Sequence, residues 1–391
     1  MSSKPPFKIA LDARYVQDHF PGIGRYVYGL VKGLAELEQP TLNFELSLIY
    51  NPALPDRRHN LPELVQRYPQ RLKLVETGVR TISLDEQWRL FGLVRQHHFN
   101  LWHTPYYIRP YLLPCPSVLT VYDVTGSLIA GALPSRKARL LFEMTTRLAL
   151  LSSPHLISIS DATRIDIIRL YKARSDKIKV IPLGVDEEFR PFSEDEKIQA
   201  RLRLKLPPNY LLYVGINKPH KNLERLLEAF KIFRERTGSS VVLILAGRED
   251  PRYAPALHEK AQRLGLDEQA VRFWGEVNEK ELPALYGCAD LFLFPSLYEG
   301  FGLPVLEAMA SGTPVICADN SSLPEVAGEA TLLFPAEDVA ALVALLEKAV
   351  PNPTLRAELA QKGLAQAHHF SWQYTAQQTL EVYREILNAK L

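Results

Sequence analysis

Two glutamates eight residues apart, Glu299 and Glu307, stand in EGFGLPVLE, the stretch of this chain that offers the most chemistry. Glu299 ends a loop that contains Gly300 and Gly302, and Pro304 suits the first turn of a following helix, where its missing N–H costs nothing. The start of such a helix presents backbone N–H groups and a positive dipole end. Carboxylates that accept from hydroxyls, beside backbone donors, can bind a sugar or a ribose. Capping of the helix by the two glutamates is the alternative.

A lysine, Lys221, follows the predicted strand 210–215 after the short loop INKPH. A lysine in this position can reach a diphosphate and offset its charge when a sugar–phosphate bond breaks. A metal ion performs that service in other transferases, but no Asp-x-Asp motif occurs here, so we predict a site without metal. Taken alone, a loop lysine is more often simply solvated.

Near the N-terminus, Gly22 and Gly24 lie in a predicted loop before a helical pattern that runs from Arg25 to Leu37. The glycines match only part of the dinucleotide fingerprint, and no acidic residue on a second strand completes it. A nicotinamide cofactor is therefore not expected, and a plain tight turn remains the simpler interpretation of these glycines.

Composition excludes several classes of protein. No apolar run reaches the roughly 18 residues of a membrane-spanning helix. The three cysteines, without CxxC spacing, argue against a disulfide framework or a zinc site and favour a reducing, cytoplasmic location. Nucleic acid is not an expected partner, since no tract of Lys and Arg is interleaved with aromatic residues.

Charge is divided unevenly along the chain. Residues 1–190 hold 25 Lys and Arg against 18 Asp and Glu, whereas residues 191–391 hold 21 against 26. A basic first half could meet an anionic surface such as a membrane leaflet, or could be no more than an unevenly charged solvated surface. Within it, the segment 133–151 has a basic start and an apolar remainder. Packing against a sheet is the favoured interpretation of this segment, and a membrane-touching helix is the alternative.

The elements that must position these residues alternate between strand and helix in two series. The predicted strands are 7–14, 44–50, 101–105, 117–123, 155–160 and 179–184 in the first series, and 210–215, 241–247, 271–275, 291–296, 314–319 and 331–335 in the second. Such alternation predicts an α/β fold with doubly wound parallel sheets and ligands at the carboxyl ends of the strands. The charged segment 185–209 is the predicted hinge. We predict domains at 1–190 and 191–370, and a C-terminal helix at 371–391 that could cross back to the first domain.

The E-x7-E pattern in EGFGLPVLEAMASGTPVI closely resembles the donor-site signature of the retaining GT4-type, group 1 glycosyltransferases of the GT-B fold. The resemblance extends over most of the chain, including PGIGRYVYGL, SISDATRIDI, KVIPLGVDEEF and YVGINKPHKNLERLLEAF, and is greatest to the O-antigen and mannosyltransferase-like branch. It implies two Rossmann-like domains facing a central cleft, with the acceptor on the N-terminal domain and a GDP- or UDP-sugar on the C-terminal one. It implies no cofactor beyond this co-substrate. A non-catalytic sugar-binding relative and a sugar-nucleotide epimerase remain as alternatives.

The resemblance also implies roles for individual residues. Glu307 would bind the ribose hydroxyls, and Glu299 would lie beside the donor sugar and act in catalysis. Lys221 would bind the diphosphate and assist its departure. The backbone N–H groups that would meet the sugar and phosphate belong to Gly300, Phe301, Gly302 and Leu303. In the N-terminal domain, Gly22 and Gly24 would let backbone amides approach the β-phosphate.

Two positions depart from the family pattern. Many relatives carry an arginine near the Lys221 loop, where this chain offers Lys218 or His220 as the second phosphate ligand. Relatives often have a His-Asp pair after the strand 117–123. Here Tyr122 replaces the histidine, and Asp123 remains as a candidate catalytic residue. His103 could compensate in part, although a structural hydrogen-bonding role is the favoured interpretation.

The reaction that this resemblance implies is the transfer of a hexose of the mannose or glucose type. Its acceptor would be a hydroxyl of a glycan, a lipid or a small molecule. The expected location is cytoplasmic, with peripheral contact at the inner face of the membrane as an alternative.

Overall fold

The chain divides into two compact units in the computed structural model, which describes residues 5–54, 56–129, 133 and 135–389. Unit 1 contains the described residues of Met1–Ser127, Ser135–Gly184 and Ser371–Leu391, and unit 2 contains those of Leu128–Pro134 and Val185–Phe370. The division falls after Gly184, whereas the sequence placed it after Arg190. Residues 1–4 and 390–391, at the ends of the predicted domains, and residue 134, in the segment 133–151, lie outside the described residues.

Strands and helices alternate along both units. The strands are β1 Phe7–Leu11, β2 Phe44–Tyr50, β3 Leu72–Glu76, β4 Leu101–Thr104, β5 Ser117–Val121, β6 His155–Ser158, β7 Ile178–Val180, β8 Tyr210–Val214, β9 Val242–Ala246, β10 Val271–Gly275, β11 Leu291–Phe294, β12 Val315–Ala318 and β13 Leu332–Phe334. The helices are α1 Pro21–Glu36, α2 Leu61–Arg67, α3 Glu86–His97, α4 Thr125–Leu128, α5 Arg136–Ser152, α6 Asp161–Tyr171, α7 Glu194–Leu204, α8 Leu223–Thr237, α9 Ala254–Arg263, α10 Leu282–Gly287, α11 Leu303–Ala310, α12 Leu323–Ala327, α13 Val339–Ala349, α14 Pro353–Ala367 and α15 Trp372–Asn388.

Each unit is built on one parallel sheet. The strand order is β3-β2-β1-β4-β5-β6-β7 in unit 1 and β10-β9-β8-β11-β12-β13 in unit 2. In both sheets the order reverses once, between β1 and β4 and between β8 and β11. Loops that leave neighbouring strands in opposite directions open a crevice at that point, where open α/β sheets bind ligands. Helices cover both faces of such sheets, so inner strands such as β11, whose sequence is LFLF, are buried throughout.

Two elements differ from the sequence-based expectation. The sequence pattern did not indicate β3, an edge strand, because the charged Lys73 interrupts its apolar residues. In the structure, Lys73 pairs with Glu45 on β2 at 2.6 Å. The predicted hinge 185–209 begins where the two units divide, but residues 194–204 within it form α7, a helix that the sequence pattern did not indicate. That helix begins with a capping box in which Ser193 and Glu196 satisfy each other's backbone N–H groups. Its polar composition hid a helix that its caps and charges stabilise.

Helix α6 follows Ser160, whose side chain caps the helix and accepts from the Thr163 backbone N–H at 3.1 Å. Asp161 is the first helical residue, where a negative charge complements the positive end of the helix dipole.

The C-terminal helix α15 belongs to unit 1 and packs against α1. The contact depends on glycines that leave room for Trp372. A Cβ added at Gly29 would lie 2.3 Å from the Trp372 ring, and one at Gly33 would lie 2.5 Å from the Trp372 carbonyl oxygen. At Gly184 the added Cβ would lie 2.1 Å from the Trp372 nitrogen. These three glycines therefore allow unit 1 to pack closely around the Trp372 side chain of α15.

Gly29→Ala should destabilise unit 1, because the new methyl group cannot fit beside Trp372. Overpacking of this kind costs about 1–3 kcal/mol of unfolding free energy. Gly22→Ala on the same helix is the matched control, since nothing lies within 4 Å of its added Cβ. Urea unfolding followed by tryptophan fluorescence measures both variants. Equal stability of the two variants would contradict this account of the α1–α15 contact.

Candidate functional site

The crevice of unit 2 is formed by the loops that follow β8 and β11. The Leu297 backbone N–H donates to the His220 carbonyl oxygen at 2.7 Å and joins the two loops. Asn222 ends the short helical turn Pro219–Lys221 in the left-handed conformation, with φ of 60°, which asparagine tolerates well. Its side-chain amide donates to the Pro295 and Ala336 carbonyl oxygens at 3.0 and 2.7 Å. These bonds hold the backbone on both sides of Lys221.

Lys221 and Glu299, 78 residues apart in sequence, form an ion pair in this crevice. Lys221 Nζ lies 2.6 Å from Glu299 Oε1, and the two side chains are 14% and 13% exposed. Lys221 Nζ also lies 5.5 Å from the centre of the Phe294 ring. When an anionic ligand binds, the Lys221 ammonium group can exchange its partner, the Glu299 carboxylate, for oxygens of the ligand.

The Glu299 loop is pinned by residues that follow β12. The Glu299 backbone N–H donates to Ser321 Oγ at 2.9 Å. Ser322 Oγ is buried and donates to the carbonyl oxygens of Glu299 and Phe301 at 2.9 and 2.7 Å. Sequence reasoning did not single out these serines. The signal was present in the polar run DNSS, directly after the strand that neighbours β11.

Helix α11 begins beside this loop with no side-chain cap. Its N-cap is Gly302, whose φ of 111° lies outside the range of most side chains, and a Cβ there would lie 2.8 Å from Leu323 Cδ2. Leu303 is the first helical residue, and Gly300 precedes Phe301 in the loop. The Phe301 side chain is buried, with its ring centre 5.9 Å from that of Phe370. The structure thus gathers the four predicted backbone donors at one helix start.

Glu307 lies in the second turn of α11 and is 3% exposed. The Tyr286 hydroxyl, from α10, donates to Glu307 Oε2 at 2.9 Å. The side chains of Glu299 and Glu307 do not cap α11, so helix capping does not explain this pair of glutamates. Tyr286 is a residue that sequence reasoning missed, because its spacing from Glu307 has no local periodicity.

The two candidates for a second phosphate ligand differ in charge. Burial, and then the nearby charges of Lys221 and Lys218, lower the pKa of His220 to about 3. His220 is therefore neutral near pH 7 and can offer only an N–H donor, whereas Lys218 can offer a cation. Charge alone favours Lys218 as the ligand of a diphosphate.

In unit 1, Gly22 and Gly24 lie in the first turn of α1, not in a loop before it. The helix begins at Pro21, four residues earlier than the pattern indicated, because proline presets the helical φ at its first position. Gly24 N–H donates to the Phe20 carbonyl oxygen at 2.9 Å. Gly22 is exposed and open on its outer side. A helix start without a side-chain cap remains a suitable partner for an anion.

Asp123 and Tyr122 follow β5, at the carboxyl edge of the same sheet. Asp123 Oδ1 accepts from the Thr125 backbone N–H at 2.8 Å, at the start of α4. The Tyr122 hydroxyl is buried, and no partner for it occurs in the part of the chain that the structure describes. Burial raises the pKa of Tyr122 well above 10, so this residue cannot replace a titrating histidine.

His103 does not compensate for Tyr122. It is fully buried in β4, with Nδ1 2.6 Å from the Tyr383 hydroxyl of α15 and Nε2 2.7 Å from Thr120 Oγ1. Burial lowers the pKa of His103 to about 3. The histidine is a neutral link between two strands and α15, as the favoured interpretation of the sequence had it.

The His103 link should make the fold sensitive to acid. The folded pKa of about 3 lies below the unfolded value, so the unfolded chain binds the proton first and stability falls as the pH drops below about 6.5. Between pH 6.5 and pH 5 this amounts to roughly 2 kcal/mol. His103→Gln should weaken that pH dependence, which urea unfolding at several pH values measures. Parallel pH profiles for wild type and variant would exclude this role.

Two family models match the chain, one in each half. "Glycosyltransferase Family 4" matches residues 21–189, and "Glycosyl transferases group 1" matches residues 194–366. The O-antigen chain mannosyltransferase B of Escherichia coli is 31% identical over 391 residues, which cover 96% of this chain and 99% of that protein. The MMP alpha-(1->4)-mannosyltransferase of Mycolicibacterium hassiacum is 34% identical over 60% of this chain and 54% of its own length.

Solved structures agree on the fold. Sucrose-phosphate synthase from Thermosynechococcus elongatus has a TM-score of 0.76 at 21% identity, covering 99% of this chain and 100% of its own. Anabaena HepE, in complex with UDP and glucose, has a TM-score of 0.74 at 20% identity, covering 96% and 99%. These neighbours confirm the two Rossmann-like units expected for the GT-B fold. With a full-length relative above 30% identity and a family model in each half, the chain belongs to the group 1, family 4 glycosyltransferases and is a hexosyltransferase.

Proposed function

We propose that this hexosyltransferase takes a mannose- or glucose-type sugar from a nucleoside diphosphate sugar and retains the configuration at the anomeric carbon. The observation that carries the proposal is the Lys221–Glu299 ion pair, 2.6 Å long, at the strand switch point of unit 2. A cation, a carboxylate and an uncapped helix start converge there, and these are the groups that a sugar diphosphate needs.

The donor is held in three parts under this proposal. Glu307, oriented by the Tyr286 hydroxyl, accepts from the ribose hydroxyls. The backbone N–H groups of Gly300 to Leu303 receive the sugar hydroxyls and phosphate at the start of α11. Lys221, with Lys218 as the second cation, binds the diphosphate. The Glu307 carboxylate is buried, and an unpaired buried charge is costly. Hydrogen bonds from the ribose hydroxyls would therefore stabilise this carboxylate strongly.

Transfer then requires the stabilisation of charge more than acid–base groups. The bond between the anomeric carbon and the phosphate oxygen breaks, and its electron pair stays on the diphosphate beside Lys221. The acceptor oxygen bonds to the same face of the anomeric carbon, and its proton passes to the departing phosphate oxygen. Glu299 stabilises the positive charge that develops on the sugar ring. No metal takes part in this scheme, because Lys221 supplies the positive charge.

The proposed sugar donors follow from what is known of two similar proteins. The O-antigen relative is a mannosyltransferase, and the HepE neighbour was solved with UDP and glucose. Both GDP-mannose and UDP-glucose therefore belong in a donor panel, with glycan, lipid-linked and small hydroxyl acceptors. Binding of a donor without any release of nucleoside diphosphate would support the non-catalytic alternative instead.

Lys221→Ala should lower kcat/KM by about 100-fold or more, because loss of one charge-stabilising donor removes several kcal/mol in a transition state. Lys231→Ala is the matched control, since Lys231 lies on α8 and pairs with Glu235 on its outer surface. Release of nucleoside diphosphate measures both. Near-normal turnover by Lys221→Ala would refute the role of the ion pair, provided that circular dichroism shows both variants folded.

The stereochemistry of the product is a separate test. A retaining transferase acting on an α-linked donor should give an α-linked product, because the acceptor attacks the face that the diphosphate leaves. NMR of the first product measures the one-bond C1–H1 coupling constant, which distinguishes the two anomers for mannose as well as for glucose. A β-linked product would contradict front-face transfer while leaving the donor site intact.

A further inference from the structure

Helix α5 exposes an apolar surface that its own sheet does not cover. The side chains on this surface and their exposed fractions are Leu140 58%, Leu141 63%, Met144 62%, Leu148 54% and Leu151 50%. At 100° per residue they fall within an arc of about 100°, and the stripe runs for roughly 16 Å along the helix. Contiguous apolar surface of this kind marks an interaction site in soluble domains. We refer to these five residues as the α5 stripe.

The opposite face of α5 fixes the helix against rotation. The Phe142 ring lies 4.7 Å from that of Tyr107, centre to centre, and a Cβ added at Gly126 would lie 3.0 Å from it. Thr146 and Ala149 are fully buried. The expectation that the apolar part of segment 133–151 packs on the sheet is therefore wrong for the α5 stripe, which points away from that contact.

Basic side chains accompany the α5 stripe. Arg136, Lys137 and Arg147 are exposed, and Arg136 and Arg147 border the stripe along one edge. Glu143, the acidic residue of this helix, is paired with Arg139 at 3.0 Å, so it does not offset those charges. Arg139 also donates to the Ser127 carbonyl oxygen at 2.6 Å. An apolar stripe with an unopposed basic border complements a surface that is itself apolar below and anionic above.

We propose that the α5 stripe docks this enzyme on an anionic phospholipid surface, with Leu and Met side chains among the acyl chains and Arg136, Lys137 and Arg147 at the phosphates. Among the described residues no helix is long and apolar enough to cross a bilayer, so the contact is peripheral. The excess of basic residues in residues 1–190 acts in the same direction. The binding itself does not rest on the proposed donor or mechanism.

Another surface of the chain supplies a control. Leu202 and Ile198 on α7 are 70% and 52% exposed, as large and as accessible as the α5 residues. Their helix begins with Glu194, Asp195 and Glu196 and carries Arg201 and Arg203 in its last turn, so this shorter apolar surface lies on a helix of mixed charge. Exposed apolar area alone would make both helices bind lipid, whereas the proposal restricts binding to α5.

Cosedimentation of the full chain with vesicles tests the proposal. Wild type should bind vesicles made of equal parts of phosphatidylcholine and phosphatidylglycerol, bind vesicles of phosphatidylcholine alone much less, and lose affinity as salt rises. Leu141→Glu combined with Leu148→Glu should reduce binding to the anionic vesicles at least about tenfold, while Leu202→Glu should not. Lys221→Ala should bind them like wild type, which separates this proposal from the proposed function.

Two results would overturn the proposal. One is equal vesicle binding by wild type and the double variant, with both shown to be folded by circular dichroism. The other is a concentration-dependent dimer in light scattering that the double variant abolishes, with no vesicle binding by wild type. That second result would assign the α5 stripe to contact with a second copy of the chain.

Discussion

The donor site depends on a cation and a carboxylate held 2.6 Å apart where the strand order of unit 2 reverses. Lys221 follows β8 and Glu299 follows β11, so their contact exists only because these two strands are neighbours in the sheet. The Leu297 backbone N–H donates to the His220 carbonyl oxygen and joins these two loops. Ser321, which accepts from the Glu299 backbone N–H, and Ser322, which donates to the Glu299 carbonyl oxygen, hold the Glu299 loop to the segment after β12. A partly buried pair with this backing is pre-organised, and pre-organised charge is what a departing diphosphate requires.

Unit 1 has a different constraint, which is the close approach of α15 to α1. Glycines at positions 29, 33 and 184 accept Trp372, and His103 bonds to Tyr383 of the same helix. Both contacts hold α15 in the unit that carries Tyr122 and Asp123. The histidine that seemed available for chemistry is thus used for structure. Helix α5 lies on the same unit and contributes an outward apolar stripe.

Much of the fold could be predicted because parallel strands buried on both faces are short apolar runs that stand out in the sequence. The expectations 44–50 and 271–275 coincide with β2 and β10. The failures share a cause, which is that charged residues hid regular structure. In β3 an ion pair to β2 offsets Lys73, and in α7 a capping box and dipole-matched charges stabilise a polar helix. Such compensation depends on neighbours that a local pattern does not contain.

The amino-acid sequence by itself determined the family, the strand–helix alternation and the identity of the donor-loop residues around Glu299, because these depend on local spacing and on a long motif. Only the tertiary structure decided that Lys221 meets Glu299, that Tyr286 orients Glu307, that His103 is buried and neutral, and that the α5 stripe faces outward. Contacts between residues far apart in sequence, and the burial that shifts a pKa, arise from the packing of whole elements. No short window of residues carries that information.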